Sequence, residues 1–337
     1  MRTRTTAGLW TATILLAGAP CRASEPPPAS THFELVKLRD GIYAATHAPG
    51  GTAIGNAGVV DLGGATLIFD TFHSIQAARD LKKAVAALTP SPIRYVVNSH
   101  HHNDHVWGNQ VFAGEALLIG TEVTRRAILE GAPKDVAAAV QEGGKGLADL
   151  EKAIGSEPDA LRRQELQLSA SWTRAQLESL PELTITAPEL TFESELVLHG
   201  TRRSARLVTL GGGSTGSDVF LHLPEDGVLF TGDLVMHGMH PILWEGAVEN
   251  WLRTLRLMQE LHVETVVPGH GRVGDASFIG TMIRYIESVE RAAAEAVAKG
   301  ESPDWAAPLA EPFGRWFYGG LFAANVQRAV QRLQSKP

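Results

Sequence analysis

One stretch of the sequence decides the fold: Ser99-His100-His101-His102-Asn103-Asp104-His105. It follows residues 93–98, an apolar run rich in β-branched side chains that predicts a buried strand. Histidines and a carboxylate this close together seldom belong to a core, because each buried polar group would need its own partner. Imidazole and carboxylate are ordinary ligands of zinc and related divalent ions. The stretch therefore predicts a metal site at the end of a strand rather than a solvated polyhistidine loop.

Two further apolar strands end in the same kind of side chain. Residues 228–231 lead into Gly232-Asp233, and residues 263–267 lead into Pro268-Gly269-His270-Gly271. Taken alone, Asp233 would be interpreted as a turn residue and His270 as a buried core histidine. Because three separate strand ends carry ligand-type side chains, we predict that they converge on one metal site.

Together these motifs resemble the metallo-β-lactamase superfamily. The His-x-His-x-Asp-His motif of that family matches His100, His102, Asp104 and His105, its bridging aspartate matches Asp233, and its final histidine matches His270. The upstream stretches Gly55-Asn56-Ala57-Gly58 and Phe69-Asp70-Thr71 are similar to the family's opening strands, so the resemblance runs from about residue 33 to 290. It implies an α/β fold, the αβ/βα four-layer sandwich, in which two mixed β-sheets pack face to face with helices outside.

One position departs from the family pattern. The family has a histidine in a Gly-His-Thr turn, whereas this chain has Gly213-Ser214-Thr215, with Ser214 at the histidine position. The resemblance implies that one metal site, which we call the second site, is complete with Asp104, His105, Asp233 and His270. The other, the first site, keeps only His100 and His102. Because a serine hydroxyl is a poorer ligand than imidazole, we expect zinc as the cofactor with one tight site and a weaker first site, and manganese or iron as alternatives.

Nearby histidines are candidates for completing the first site. His237 and His240 follow the bridging aspartate closely, and we expect them, or Ser214 itself, either to replace the missing ligand or to line the substrate pocket. His73 is expected to point toward the cleft and His101 away from the metals. Asp70 is expected to support the metal-bearing loops through hydrogen bonds. The remaining histidines are interpreted as surface or core residues: His32, His47, His199, His222 and His262.

Composition excludes several classes of protein. The chain of 337 residues is 44% apolar and 20% charged, which suits a sizeable core and not a disordered protein. Its 30 Lys and Arg against 37 Asp and Glu give a net charge of −7, which argues against a nucleic-acid polymer as partner and leaves a small-molecule substrate. A single cysteine excludes a disulfide scaffold and a four-cysteine zinc site.

The N-terminal region is predicted to be a signal peptide over residues 1–23. Arg2 and Arg4 precede an apolar run, residues 7–19, that is shorter than the roughly 20 residues a membrane-spanning helix needs. Cleavage before Ser24 would release a periplasmic or secreted protein without a stable membrane anchor; an uncleaved anchor is the alternative. Residues 24–32, with three consecutive prolines, are expected to form an extended leader.

The rest of the chain is divided into a domain and a tail. We assign residues 33–300 to the metallo-β-lactamase-like domain. A helical insertion at about 121–182 is expected to have breaks near Gly143-Gly144 and Gly155, and a strand is expected at residues 183–185. The insertion either borders the cleft, with Trp172 as a wall, or forms an external layer. The aromatic tail, residues 301–337, is predicted to cap the core as a helix, with a homodimer contact as the alternative.

The resemblance also implies a reaction. A divalent ion lowers the pKa of bound water to about 7, so that hydroxide is available at neutral pH. A metal-bound hydroxide would then cleave an amide, ester or lactone bond, with Asp104 as the catalytic residue that orients it. Two alternatives stay open: a hydrolase of small phosphodiesters, and a metal-binding protein whose catalysis is impaired by the loss of the turn histidine.

Overall fold

A seven-stranded mixed sheet forms one half of the fold in this structure, a computed structural model that describes residues 29–300 and 311–335. Its strands lie side by side in chain order: β1 (Phe33–Arg39), β2 (Ile42–His47), β3 (Ala57–Asp61), β4 (Thr66–Phe69), β5 (Ile93–Val97), β6 (Leu117–Gly120) and β7 (Leu190–Thr191). The first four strands pair antiparallel. The pairs from β4 to β7 are parallel.

A five-stranded sheet forms the other half. Its strands are β8 (Glu195–His199), β9 (Ser204–Val208), β10 (Phe220–Leu223), β11 (Val228–Phe230) and β12 (Thr265–Val267), in the spatial order β12-β11-β10-β9-β8. The outer pair β11 and β12 is parallel, and the other pairs are antiparallel. Both sheets are therefore mixed.

The described part of the chain has seven α-helices. They are α1 (Ile75–Leu88), α2 (Asn103–Val106), α3 (Glu122–Ser156), α4 (Ala160–Ser179), α5 (Val248–Glu260), α6 (Ser277–Lys299) and α7 (Gly320–Ser335). Helix α1 packs on the first sheet, and α5, α6 and α7 pack on the second. The long helices α3 and α4 form a hairpin. No helix in the described part of the chain is both long and apolar enough to cross a membrane.

The strand period of two explains the layers. Successive side chains of a strand point to opposite faces of its sheet. Leu67 and Phe69 of β4 therefore point between the sheets, where the ring of Phe69 lies 6.1 Å from that of Phe230 in β11. Ile68 and Leu229, one residue along, point outward into the clusters that the helices cover. The predicted four-layer αβ/βα sandwich is confirmed.

The expected helix break at Gly143-Gly144 is wrong, because α3 runs unbroken from Glu122 to Ser156. A Cβ on Gly143 would lie 3.0 Å from Leu177 Cδ2 in α4, so the absence of a side chain lets the two helices approach closely. This packing outweighs the cost of about 1 kcal/mol that glycine imposes inside a helix. The helix does end next to Gly155, the second predicted break.

The expected strand at residues 183–185 is also wrong, since these residues pair with no strand in the part of the chain that the structure describes. Their apolar side chains instead contribute to a small cluster with Val106, Trp107 and Ile128. The backbone N–H of Thr184 donates to the side chain of Gln110. The apolar side chains at 183 and 185 are thus partly buried, but in an irregular segment rather than in the predicted strand.

The structure describes much of the C-terminal tail but not the N-terminal region. Residues 1–28 lie outside the described residues, and with them the expected signal peptide and most of the leader. In the tail, α7 packs on α6 with Val326 and Ala329 buried. Asn325 of α7 donates from Nδ2 to Tyr285 Oη of α6 at 3.1 Å and to the Pro241 carbonyl at 2.8 Å, and its Oδ1 accepts from the Leu243 N–H at 3.0 Å.

Candidate metal centre

Four strands end at one edge of the sandwich. β4 and β5 are parallel in the first sheet, and β11 and β12 are parallel in the second, so each pair ends on the same side. Asp70 follows β4, Asp233 follows β11, His270 follows β12, and the histidine-rich residues 99–105 follow β5. The carboxyl ends of parallel strands are where α/β folds place their ligands. The structure brings the predicted side chains together there.

Asp70 organises the loop after β5. Its backbone has φ of +63°, a left-handed conformation that is uncommon outside glycine. One carboxylate oxygen accepts from the Ser99 N–H at 2.7 Å; the other accepts from Ser99 Oγ at 2.7 Å and lies 2.9 Å from His105 Nδ1. The expectation that Asp70 supports the metal-bearing loops through hydrogen bonds is confirmed.

Four donor atoms form the second site. Asp104 Oδ2 lies 3.4 Å from His105 Nε2 and 3.2 Å from His270 Nε2. Asp233 Oδ1 lies 3.3 Å and 3.4 Å from the same two nitrogens. Ligands at about 2.0–2.1 Å from a tetrahedral zinc ion are about 3.3–3.4 Å from one another. These four distances match the separation of zinc ligands.

Asp233 joins this group to the first site. Its other oxygen, Oδ2, lies 3.6 Å from His100 Nε2. Ligand atoms of His100, His102 and Asp233 all lie within 4.8 Å of one another. The His100 and His105 rings are 4.4 Å apart, centroid to centroid. One carboxylate thus faces both groups of histidines, as expected of a bridging ligand.

Buried donor atoms of both sites lack hydrogen-bond partners among the described residues. They are His100 Nε2, Asp104 Oδ2, His105 Nε2 and Asp233 Oδ1. An unsatisfied buried polar atom costs about 1–3 kcal/mol, so native proteins seldom keep several in one place. A divalent cation would satisfy all of them. The residues present therefore fit the metal ions that the sequence pattern predicts.

The charges of the site are balanced within it. Burial alone would raise the pKa of Asp104, but the nearby His105 and His270 outweigh it and hold that pKa well below its usual range. Burial likewise opposes the charge on His270, yet Asp233 and Asp104 raise the pKa of His270 to about 10. Without an ion, protons on the imidazoles neutralise the carboxylates. A metal that binds here must displace those protons.

The part of the chain that carries this site matches a known protein family. The sequence profile of the Metallo-beta-lactamase superfamily (Lactamase_B) matches residues 50–270, more than half of the chain. The chain belongs to that superfamily. No curated protein matches the chain.

Solved structures with the same fold share little sequence with this superfamily member. A metallo-beta-lactamase from Pontibacter korlensis is 15% identical with a TM-score of 0.54, over 76% of this chain and 99% of that one. The stereoselective inverting sec-alkylsulfatase Pisa1 from Pseudomonas sp. is 17% identical with a TM-score of 0.67, over 89% of this chain and 50% of that one. The DIM-1 metallo-beta-lactamase is 18% identical with a TM-score of 0.53, over 76% and 98%. At these identities the likeness concerns the fold.

The turn that departs from the superfamily pattern is closed by its own carboxylate. Asp218 Oδ2 accepts from the N–H groups of Gly213 and Thr215 at 2.8 and 2.9 Å. Burial raises the pKa of Asp218 to about 6, although these backbone hydrogen bonds oppose the shift. Ser214 lies buried within the turn. No residue of the turn belongs to the metal-ligand groups found among the described His, Cys, Asp and Glu residues.

His237 and His240, proposed either as replacement ligands of the first site or as pocket residues, lie outside the metal-ligand groups of the described residues. The two ring nitrogens of His240 lie 3.0 Å from Tyr285 Oη and 3.1 Å from the Phe313 carbonyl, so this ring is held in the core beneath α7. The His237 ring stacks on Phe278 at 4.1 Å. Neither joins a metal-ligand group among the described residues.

His101 and His73 lie beside the site. The His101 ring is 4.9 Å from that of His102; His101 lies outside the two donor groups described above, but one of its nitrogens is within 4.8 Å of ligand atoms of His102 and Glu245. His73 is fully buried with its ring edge-on to Trp107 at 5.0 Å and to Trp172 of α4 at 4.6 Å. Trp172 thus borders His73, which places part of the helical insertion next to the centre.

Sequence reasoning missed two residues that hold the site together. Glu245 Oε2 lies 2.8 Å from His102 Nε2. Asn56 Nδ2 donates to the carbonyls of Pro268 and Gly271 at 2.9 and 2.8 Å, which fixes the loop that carries His270. Asn56 stands in a stretch that resembled the superfamily but carried no assigned role. No motif marked Glu245, which lies far from His102 in the chain.

Metal content should separate the two sites. We expect His270→Ala to abolish the tightly held metal, because it removes one of four closely spaced donors, whereas His100→Ala leaves that metal in place. Ser214→His should raise the tight stoichiometry from about one toward two per chain, since it restores imidazole to the turn. Metal analysis after dialysis against a weak chelator measures this. Two metals retained equally by the unmodified protein would contradict the expected order.

Replacing His73 should make the protein more resistant to acid. Burial lowers the pKa of His73 to about 4, and neither ring nitrogen has a partner among the described residues. Because the pKa of His73 is lower in the folded state than the value of about 6.5 in the unfolded chain, the unfolded chain takes up a proton first as pH falls. The free energy of unfolding therefore decreases from about pH 6.5 down to about pH 4. At pH 5 this loss is about 2 kcal/mol, which His73→Phe would remove.

Chemical denaturation at pH 7.5 and pH 5 tests this prediction. We expect His73→Phe to be at least as stable as the unmodified protein at pH 7.5 and clearly more stable at pH 5. The exposed His199 provides the control substitution, His199→Phe. A His73→Phe variant that is less stable at both pH values would show instead that the His73 nitrogens are satisfied in solution.

Proposed function

We propose that this protein is an exported zinc-dependent hydrolase of small molecules that cleaves an amide, ester or lactone bond. The observation that carries the proposal is the second site, where carboxylate and imidazole atoms lie 3.2–3.4 Å apart. When bound, a divalent ion at such a site supplies Lewis acidity and lowers the pKa of water. The proposal also rests on membership of the superfamily.

The residues around the two metal sites have different proposed roles. Asp104, His105, Asp233 and His270 would hold one ion, and His100, His102 and Asp233 the other. We assign Asp104 the catalytic role: besides holding an ion, its carboxylate accepts a hydrogen bond from the attacking water and orients it. Asp70 keeps the His105 ring in place from behind. Because the two oxygens of Asp233 face the two groups, this residue would set the distance between the two metal ions.

We infer the metal from the chemistry of the donor atoms. Nitrogen and carboxylate ligands in a four-donor arrangement favour zinc, with manganese or iron as alternatives. We propose that the second site binds tightly and the first more weakly, since the first has fewer donors. Ser214 stands where the superfamily pattern supplies a third histidine.

Location and partners are proposed from the sequence. Residues 1–23 have the pattern of a signal peptide, so we propose a periplasmic or secreted protein without a membrane anchor. The net charge of −7 supports a small-molecule substrate over a nucleic-acid polymer.

Export predicts a mature chain that begins at Ser24. Intact-mass measurement of protein from the periplasm or the medium checks this, and a chain that keeps residues 1–23 would refute it.

A substrate panel tests the hydrolase itself. The protein is loaded in turn with Zn, Mn and Fe and assayed on an amide, an ester, a lactone, a β-lactam, a chromogenic phosphodiester and a secondary alkyl sulfate. The last is included because a structural neighbour is an alkylsulfatase. We expect turnover of a carbonyl substrate, and we expect Asp104→Asn to lower it by about 100-fold or more, the scale of losing one transition-state contact.

Each outcome of the panel has a distinct meaning. A metal-loaded protein that turns over only the phosphodiester would replace this proposal with a small phosphodiester hydrolase. Full metal binding without any turnover would indicate a metal-binding protein whose catalysis is impaired. Folding of Asp104→Asn, checked by circular dichroism, separates loss of chemistry from loss of structure.

A further inference from the structure

Two buried metal histidines of this site, His100 and His105, each have one ring nitrogen held by an oxygen atom. His100 Nδ1 lies 2.9 Å from Ser99 Oγ, which leaves its Nε2 without a partner and facing Asp233. His105 Nδ1 lies 2.9 Å from Asp70 Oδ2, which leaves its Nε2 without a partner in the second site. Such outer hydrogen bonds fix the tautomer and orientation of a metal-binding imidazole.

His102 follows the same pattern with the opposite nitrogen. Its Nε2 lies 2.8 Å from Glu245 Oε2, whereas no hydrogen bond to its Nδ1 is found among the described residues. One ring nitrogen of His102 lies within 4.8 Å of a ligand atom of His100 and of Asp233, and one lies equally close to ligand atoms of His101 and Glu245. A carboxylate partner differs from the serine behind His100, because its negative charge makes the imidazole a stronger donor to a cation.

Glu245 is held on the turn that has lost its histidine. A Cβ on the next residue, Gly246, would lie 2.1 Å from the carbonyl oxygen of Gly213 and 2.6 Å from that of Thr215. The segment that carries Glu245 is therefore pressed against the turn around Ser214. A few residues later, Asn250 Nδ2 donates to the Leu210 carbonyl at 2.8 Å, which ties the same segment to the start of the turn.

We infer that Glu245 is the positioning residue of the first site: it binds Nε2–H of His102, so that Nδ1 is presented to the metal, and its charge partly compensates for the missing turn histidine. This inference rests on the metal centre proposed above and is independent of which bond is cleaved. Glu245 does not touch the ion in this arrangement; it acts through His102.

Metal affinity measured separately for the two sites tests the inference. Zinc is titrated into metal-free protein in competition with a chelating dye, for the unmodified chain and for Glu245→Ala, Glu245→Gln and the control Glu193→Ala. Glu193 is an exposed carboxylate between β7 and β8. We expect Glu245→Ala to weaken the first site by 10–100-fold, the usual effect of removing an outer partner, and to leave the second site within twofold. Glu245→Gln should fall between, because it keeps an oxygen acceptor but loses the charge.

The tautomer of His102 gives a readout that a structural role alone would not move. In the zinc-loaded protein, nitrogen-15 spectra of the histidine side chains should show His102 with Nε2 protonated and Nδ1 bound to metal. Glu245→Ala should weaken or broaden that signal, and the signals of His105 and His270 should stay unchanged.

The outcomes distinguish this inference from the proposed function. A second site that fills normally beside a first site indifferent to Glu245→Ala would overturn the inference alone. Metal bound to Nε2 of His102 would also overturn it, since that nitrogen would then carry no proton for Glu245 to bind. If the unmodified protein binds metal at neither site, the proposed function and this inference both fail.

Discussion

The rest of this structure depends on two buried carboxylates, Asp104 and Asp233, at the edge where the sheets meet. An ion in a protein interior loses several kcal/mol of hydration, so it persists only where opposite charge faces it. Here the facing groups are His105 and His270, whose Nε2 atoms lie 3.2–3.4 Å from the carboxylates. Three strand ends must therefore meet within hydrogen-bonding reach. Apolar packing between the sheets sets their spacing, and Asp70, behind His105, fixes the angle at which the ring enters the group.

The loops that carry the ligands can lie this close together only where no side chain stands between their backbones. A Cβ on Gly269 would lie 2.0 Å from Asp233 Oδ1, and one on Gly55 would lie 2.7 Å from the Asp104 carbonyl oxygen. At both positions a side chain would push one ligand loop off another. The Asn56 side chain then ties the first sheet to the loop of His270 in the second. The same short contacts that build the metal centre thus join the two halves of the sandwich.

Local pattern was sufficient for some features and insufficient for others. The apolar runs over residues 93–98, 228–231 and 263–267 were predictable as strands from their composition alone. The ligands were predictable because they directly follow these runs. Gly143 misled the prediction of a helix break because Leu177, a distant residue, packs against it. Glu245 was unpredictable because its role depends on where a loop lies in space, and no residue spacing encodes that position.

The turn around Ser214 shows how the protein can tolerate an incomplete first site. In the superfamily pattern a histidine would tie this turn to the metal, so loss of that ligand would leave the turn without an anchor. Here Asp218 accepts two backbone N–H groups inside the turn, and Gly246 packs on its carbonyls from outside. These contacts involve no metal-ligand side chain. The shape of the turn is therefore independent of whether the first site holds an ion, whereas in the second site an ion would replace the imidazole protons that otherwise balance Asp104 and Asp233.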